Sequence, residues 1–136
     1  RTEVEKLIDA ILDESDSMED LIEAMREQRE AMRSRDTEAI NELMNEARNI
    51  SFEVQSCENL RSDLARKLAA VNSCEPKVSS LMLAMKDDEE RREIKEAAER
   101  LQRSRTCHSS FSVAFGLASN KFSRTVPLKN VELWLM

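Results

Sequence analysis

The stretch that decides the fold is Thr37–Val71, with the sequence TEAINELMNEARNISFEVQSCENLRSDLARKLAAV. Apolar or small residues recur in it at steps of three and four, which is the spacing of one face of an α-helix. Neither Gly nor Pro interrupts the run. The stretch therefore predicts one amphipathic helix, roughly 50 Å long at about 1.5 Å per residue, whose apolar seam must be covered by other helices. That seam comprises Ile40, Leu43, Ala47, Ile50, Val54, Cys57, Leu64, Leu68 and Val71, and Arg61 alone breaks the series.

The chain before this helix repeats the same spacing. Residues 2–33 are predicted to form another long helix, and only Ser34-Arg35-Asp36 separates the two. Asp36 suits an N-cap, and so short a connection predicts an antiparallel αα-hairpin. The predicted seam of the earlier helix comprises Val4, Ile8, Ile11, Ser15, Met18, Ile22, Met25, Arg29 and Met32, widened by Leu7, Leu12 and Leu21.

The chain after the hairpin predicts two more helices. Residues 78–86 suit a short helix, and a third long helix is predicted from about Asp88 toward Phe122, with Asp87 as its N-cap. Beyond Thr106 the residues have weaker helix propensity, and Pro127 ends the pattern. We predict a helical bundle over residues 1–125 and an apolar C-terminal tail over residues 126–136.

Composition supports an all-α fold. Ala, Glu, Lys, Leu and Arg make up about half of the 136 residues, which is typical of long or coiled helices. The predicted fold class is an all-α antiparallel bundle of three long helices with one short helix and coiled-coil-like packing. The charge of -6 is concentrated in the first half, which does not suit nucleic-acid binding. No run of 18 or so apolar residues predicts membrane insertion, and no signal peptide is apparent.

The chemistry-bearing residues do not form a catalytic or metal-binding pattern. Cys57, Cys74 and Cys107 are odd in number and widely spaced, so we expect three free thiols in a reducing compartment. His108 lies on the predicted seam of the third long helix, where a core histidine is expected rather than a general base. A single Gly excludes a Gly-rich phosphate loop. We predict no enzymatic activity, no metal and no cofactor.

An apolar surplus remains at the C-terminal end. Four of the five aromatic residues follow residue 106, on a segment of weak helix propensity. An apolar segment on such a chain must be buried somewhere, either in the protein's own core or against a partner helix. The candidate partner-binding residues are Phe111, Phe115, Leu117, Phe122, Val126, Leu128, Val131, Leu133 and Trp134.

The hairpin resembles that of the FlgN-type flagellar export chaperones, a family of type III secretion chaperones. The resemblance is carried by Glu27–Met32, the turn Ser34-Arg35-Asp36 and Thr37–Leu43, and it extends through Asn59–Leu64 and Asp87–Glu90. It covers about two-thirds of the chain.

This resemblance implies a cytoplasmic chaperone that binds the C-terminal segment of hook-associated (hook-filament junction) proteins. Such a chaperone keeps them unassembled and delivers them to export apparatus components. The substrate-binding region of the family would correspond to Cys107–Met136 here. The alternative from the residues themselves is a structural coiled-coil subunit or a homodimeric scaffold, and the C-terminal tail could also mediate homo-oligomerisation.

Overall fold

The fold consists of helices throughout the part of the chain that can be described. The computed structural model describes residues 2–115, with the side chains of residues 3–110. Its helices are α1 (Thr2–Arg33), α2 (Thr37–Asn72), α3 (Val78–Ala84) and α4 (Asp88–Phe115). The predicted all-α class is confirmed. The predicted continuation to Phe122 and the tail over residues 126–136 lie outside the described residues.

The turn between α1 and α2 is fixed by backbone and side-chain caps. The Asp36 carboxylate accepts a hydrogen bond of 3.1 Å from the backbone N–H of Ala39, which confirms the predicted N-cap. The backbone N–H of Asp36 donates to the carbonyl oxygen of Ala31 at 3.0 Å and thereby satisfies the end of α1. Arg35 between them takes a left-handed conformation with φ of 57°.

We expect Arg35→Gly to stabilise the protein by about 1 kcal/mol. A residue with a Cβ atom pays about 1–2 kcal/mol in the left-handed region, and Gly does not, although Gly also gains entropy when unfolded. The matched control is Arg33→Gly in the last turn of α1, where Gly should destabilise by up to about 1 kcal/mol. Chemical denaturation of both variants measures the difference, and equal effects at the two positions would contradict the assignment.

The three long helices run up, down and up. Arg100 of α4 contacts Asp16 and Glu19 of α1, and Cys107 shares a cavity with Ile22 and Arg26 further along α1. Residue numbers thus rise together on both helices, so α4 is parallel to α1 and antiparallel to α2. Helix α1 is central, because it packs on both α2 and α4.

The described core has two clusters along the bundle. Cluster one lies at the base, where the start of α1, the end of α2, α3 and the first half of α4 meet. Its members are Val4, Leu7, Ile8, Ala10, Ile11, Leu64, Ala65, Leu68, Ala69, Val78, Leu81, Met85, Ile94, Ala97, Ala98 and Leu101. Cluster two lies nearer the α1–α2 turn and comprises Met18, Leu21, Ile22, Ala24, Met25, Ala47 and Val54, with Ile50 packed against them.

Three members of the predicted seams are exposed in the structure, namely Arg29, Met32 and Val71. Val71 is 82% exposed, because a seam of strictly alternating three- and four-residue steps drifts by about 20° per heptad around a straight helix. Arg29 is also exposed, and Gln28, one residue earlier and about 100° around α1, is buried in its place. The buried side of α1 beyond Met25 therefore includes Gln28 and Ala31.

Candidate partner-binding site

The structure does not describe the side chains of the nine residues predicted to bind a partner. Phe111 and Phe115 belong to α4, but their side chains lie outside the described part of the chain. The other seven, namely Leu117, Phe122, Val126, Leu128, Val131, Leu133 and Trp134, follow the last described residue. This site therefore stays a prediction.

The half of the α1–α2 hairpin that lies nearer its turn, called the upper hairpin here, is apolar on the side that faces α4. Among the described residues, every apolar member of cluster two comes from α1 or α2. In cluster one, by contrast, α4 contributes Ile94, Ala97, Ala98 and Leu101. Of the α4 side chains that are described beyond Leu101, which end at Ser110, none is an apolar member of either cluster.

The hairpin also leaves apolar side chains partly uncovered near its turn. Ile40, Leu43 and Met44 of α2 are only half-buried, and Met32 of α1 is 37% exposed. These residues belong to the seams predicted from the sequence or lie beside them. The upper hairpin therefore offers apolar surface along which a further helix can pack.

Polar residues of α4 lie opposite this apolar surface. Ser104 is buried, and its hydroxyl lies 3.5 Å from a carboxylate oxygen of Glu19. His108, one turn later, is only 1% exposed. Cys107 beside it lines a cavity of about 240 Å³ with Ile22 and Arg26, so His108 lies at the level of that turn of α1.

His108 is a buried imidazole without a hydrogen-bond partner among the described residues. Neither Nδ1 nor Nε2 has one, and burial lowers the pKa of His108 from its ordinary value. The sequence predicts a satisfied or partly exposed core histidine; the position in the core is confirmed, but the ring is 1% exposed and has no partner among the described residues. Cys107 is exposed while His108 is buried, which does not suit a nucleophile–base pair.

Acidification below about pH 6.5 is expected to destabilise the protein through His108. Because the folded chain lowers the pKa of His108, the unfolded chain binds a proton that the folded chain does not. The contribution of neutral His108 to the free energy of unfolding is fully present above about pH 6.5, the ordinary pKa of histidine. It is lost as the pH falls below that value. Chemical denaturation from about pH 8 to about pH 5 should show a steeper loss for the native chain than for His108→Gln; parallel curves would contradict this.

A buried ion pair separates the two apolar clusters, and the sequence interpretation did not find it. The Nε atom of Arg61 on α2 donates to a carboxylate oxygen of Glu14 on α1 at 2.6 Å, and the side chains are 1% and 0% exposed. Burial raises the pKa of Glu14, although the charge and hydrogen bond of Arg61 act in the opposite direction. The available signal was that Glu14 and Gln28 continue the seven-residue series that begins with Leu7 and Leu21.

The dense acidic face of α1 is solvated. Glu19, Asp20, Glu23 and Glu27 are exposed, and Arg100 pairs with Glu19 and with Asp16. Within residues 2–115, no group of three or more His, Cys, Asp or Glu side chains is arranged to hold a metal ion. The three cysteines are free thiols. No described helix is both long enough and apolar enough to cross a membrane.

These features define the class of the protein as an all-helical bundle. A comparison with protein families identifies which one. The chain belongs to the FlgN family, because the model of that family, described as FlgN protein, matches residues 3–106. This is a family of flagellar export chaperones rather than of enzymes.

The matched range contains the hairpin, α3 and most of α4, and it ends before the nine predicted binding residues. Comparisons with curated proteins and with solved structures returned no match.

Proposed function

We propose that this protein is a cytoplasmic chaperone that binds the C-terminal amphipathic helix of hook-associated proteins before their secretion. It keeps these hook-filament junction proteins unassembled and hands them to components of the export apparatus. The observation that carries the proposal is the partly exposed apolar surface near the α1–α2 turn, which comprises Met32, Ile40, Leu43 and Met44. Membership of the FlgN family supplies the class of partner.

The proposed binding mode is a helix in a groove. An amphipathic helix buries its apolar stripe against the upper hairpin, and the nine apolar residues after residue 110 cover its other side. Apolar burial contributes about 25 cal/mol per Å² before the costs of association and ordering are subtracted. A partner helix that would otherwise self-assemble is then shielded until it is released.

The experiment that tests this function is a pull-down from the native cytosol. The full chain is expected to retain a hook-associated protein, and a chain that ends at Thr106 is expected to lose it. The matched control is Phe52→Ser, which removes an aromatic side chain that is 65% exposed on α2, away from the proposed site. Equal recovery with the full and the shortened chain would contradict the proposed site.

The rival function, a homodimeric scaffold, is distinguished by the oligomeric state. The apolar surfaces that accept a foreign helix can also accept a second copy of the chain. Sedimentation of the full chain should show a monomer that forms a defined complex when a hook-associated protein is added. A stable dimer that is unaffected by that protein and is lost on truncation at Thr106 would instead support the scaffold.

A further inference from the structure

We infer that a buried charged layer, formed by Glu14 of α1 with Glu58 and Arg61 of α2, fixes the axial register of these two helices. The layer selects this register because it disfavours arrangements in which one helix is displaced by seven residues along the other. The inference goes beyond the proposed function, although the register also determines which apolar side chains of α1 and α2 lie together near the turn.

The first argument is the repetition of the apolar seams. Apolar side chains recur at steps of three and four along most of α1 and α2, so both seams repeat about every seven residues. Displacing one helix by seven residues therefore brings an apolar seam against an apolar seam again. Because apolar burial is non-directional and follows the area removed from water, it discriminates weakly between such registers. A further interaction is needed to select one of them.

The second argument is the position of the charged layer between apolar steps. The Nε atom of Arg61 lies 2.6 Å from a carboxylate oxygen of Glu14, and both side chains are buried. Counting seven residues from each of them, in opposite directions along these antiparallel helices, leads on either side to two apolar residues of the same cluster. These are Leu7 with Leu68 in cluster one, and Leu21 with Val54 in cluster two.

The third argument is the cost of a displacement. A shift by seven residues separates Glu14 from Arg61 and buries each of them opposite an apolar side chain. The side chains that Glu14 and Arg61 would then face are Leu68 and Leu21 for a shift in one direction, and Val54 and Leu7 for the other. A buried pair roughly offsets its own desolvation, whereas a buried charge without its partner is strongly destabilising. The layer therefore acts mainly by making the displaced registers unfavourable.

The turn between α1 and α2 is a weaker restraint on the register. A displacement by seven residues moves this turn by three or four residues along the chain. It gives up the cap between the Asp36 carboxylate and the backbone N–H of Ala39, and it releases Arg35 from a left-handed conformation that is unfavourable for a residue with a Cβ atom. These two effects oppose each other, so the charged layer carries most of the selection.

Disulfide formation with Cys57 reports the register. In a Cys74→Ser, Cys107→Ser background, Ser17→Cys reports the native register, since the Ser17 hydroxyl and the Cys57 thiol lie 3.8 Å apart. Ala10→Cys and Ala24→Cys report the displaced registers, because each lies seven residues from position 17, about 10 Å along α1, which is too far for a disulfide in the native register.

The quantity measured is the stability of each displaced-register disulfide in a glutathione buffer, divided by that of the native-register disulfide. We call this the register ratio, and a non-reducing gel separates the intrachain products from dimers. With the native layer, the register ratio is expected to be about 0.01 or lower. Displaced-register disulfides as stable as the native one would contradict a fixed register.

Making the layer apolar tests its role. The variant Glu14→Leu, Glu58→Leu, Arg61→Met removes all three charges, and Glu58 is included because it is also 1% exposed. The register ratio of at least one displaced reporter is expected to rise at least about tenfold. An unchanged ratio would overturn the inference. Loss of helical content would overturn it too, because a layer that only selects the register should be replaceable by apolar residues without loss of folding.

The matched control removes buried polar groups that bond within their own helix. The hydroxyls of Ser15 and Ser51 donate to the carbonyl oxygens of Ile11 at 3.1 Å and Ala47 at 2.8 Å, so they carry no information about the partner helix. Ser15→Ala with Ser51→Ala should leave the register ratio unchanged, and a rise equal to that of the apolar layer would contradict the role of the charges. None of these measurements uses a binding partner, so the result is independent of the proposed function.

Discussion

Replacement of Arg61 by Met is expected to lower the free energy of unfolding by about 3–5 kcal/mol. The guanidinium of Arg61 is 1% exposed and bonds to the carboxylate of Glu14 at 2.6 Å. Removing one partner leaves a carboxylate in a place that water does not reach, and that cost exceeds the value of the bond itself. Glu58, one turn earlier on α2 and also 1% exposed, would lose the same nearby positive charge.

Two further variants show whether burial is the cause. Glu14→Leu combined with Arg61→Met should recover part of the loss, because both members of the pair become apolar. Arg66→Met on the same helix removes an arginine that is 64% exposed and paired with Asp63, and it should change stability by less than about 0.5 kcal/mol. Chemical denaturation of the four proteins measures this. A similar effect of Arg61→Met and Arg66→Met would contradict the buried pair.

Replacement of Leu101 by Ala is expected to cost about 2–5 kcal/mol and to loosen α4 from the hairpin. Leu101 is fully buried and is the last apolar residue of α4 in cluster one among the described residues. Truncating it removes packing between α4 and the helices that form cluster one. The exchange of backbone amides in α4 should then quicken along the helix.

The matched control for this substitution is Leu83→Ala. Leu83 belongs to α3 and is 88% exposed, so its truncation removes little buried surface. Its effect on stability should remain within about 0.5 kcal/mol. Thermal unfolding of both variants, followed by circular dichroism, gives the comparison. A small effect of Leu101→Ala would mean that the α1–α4 packing is not what holds α4.

The architecture could be predicted from the sequence because its signals are local and repeated. The three-and-four spacing, the turn at Ser34-Arg35-Asp36 and the cap at Asp87 each depend on residues within one or two helical turns. The described helices begin and end within about two residues of the predicted bounds wherever both ends can be compared. The carboxylate of Asp87 accepts from the backbone N–H of Glu89 at 2.9 Å, as a cap at this position should.

Features that depend on which helix faces which could not be predicted in this way. Arg61 is recognisable from the sequence as a break in the seam, but its partner Glu14 is 47 residues away in sequence. Val71 was predicted to be buried, because fixed steps ignore the slow drift of a straight helix. Gln28 was missed because a polar residue carries no apolar signal, even where packing buries it.

The sequence predicts the binding site only through the amino-acid composition of the C-terminal segment. The apolar and aromatic surplus after residue 106 indicates a segment that must be covered, but it does not say by what. His108 is different, since its position on the seam indicated burial, and the structure confirms it. The sequence does not show that this polar ring lies near the apolar side chains of cluster two, because that depends on α4 being parallel to α1.

The measurement that tests the central claim most directly is calorimetric titration with the C-terminal peptide of a hook-associated protein. The full chain should bind this peptide and should not bind a peptide of the same composition with its apolar stripe scrambled. A chain that ends at Thr106 should keep its helical content and bind at least about 100-fold more weakly, since the nine apolar residues are gone. Undiminished binding by the shortened chain, or equal binding of both peptides, would contradict the account.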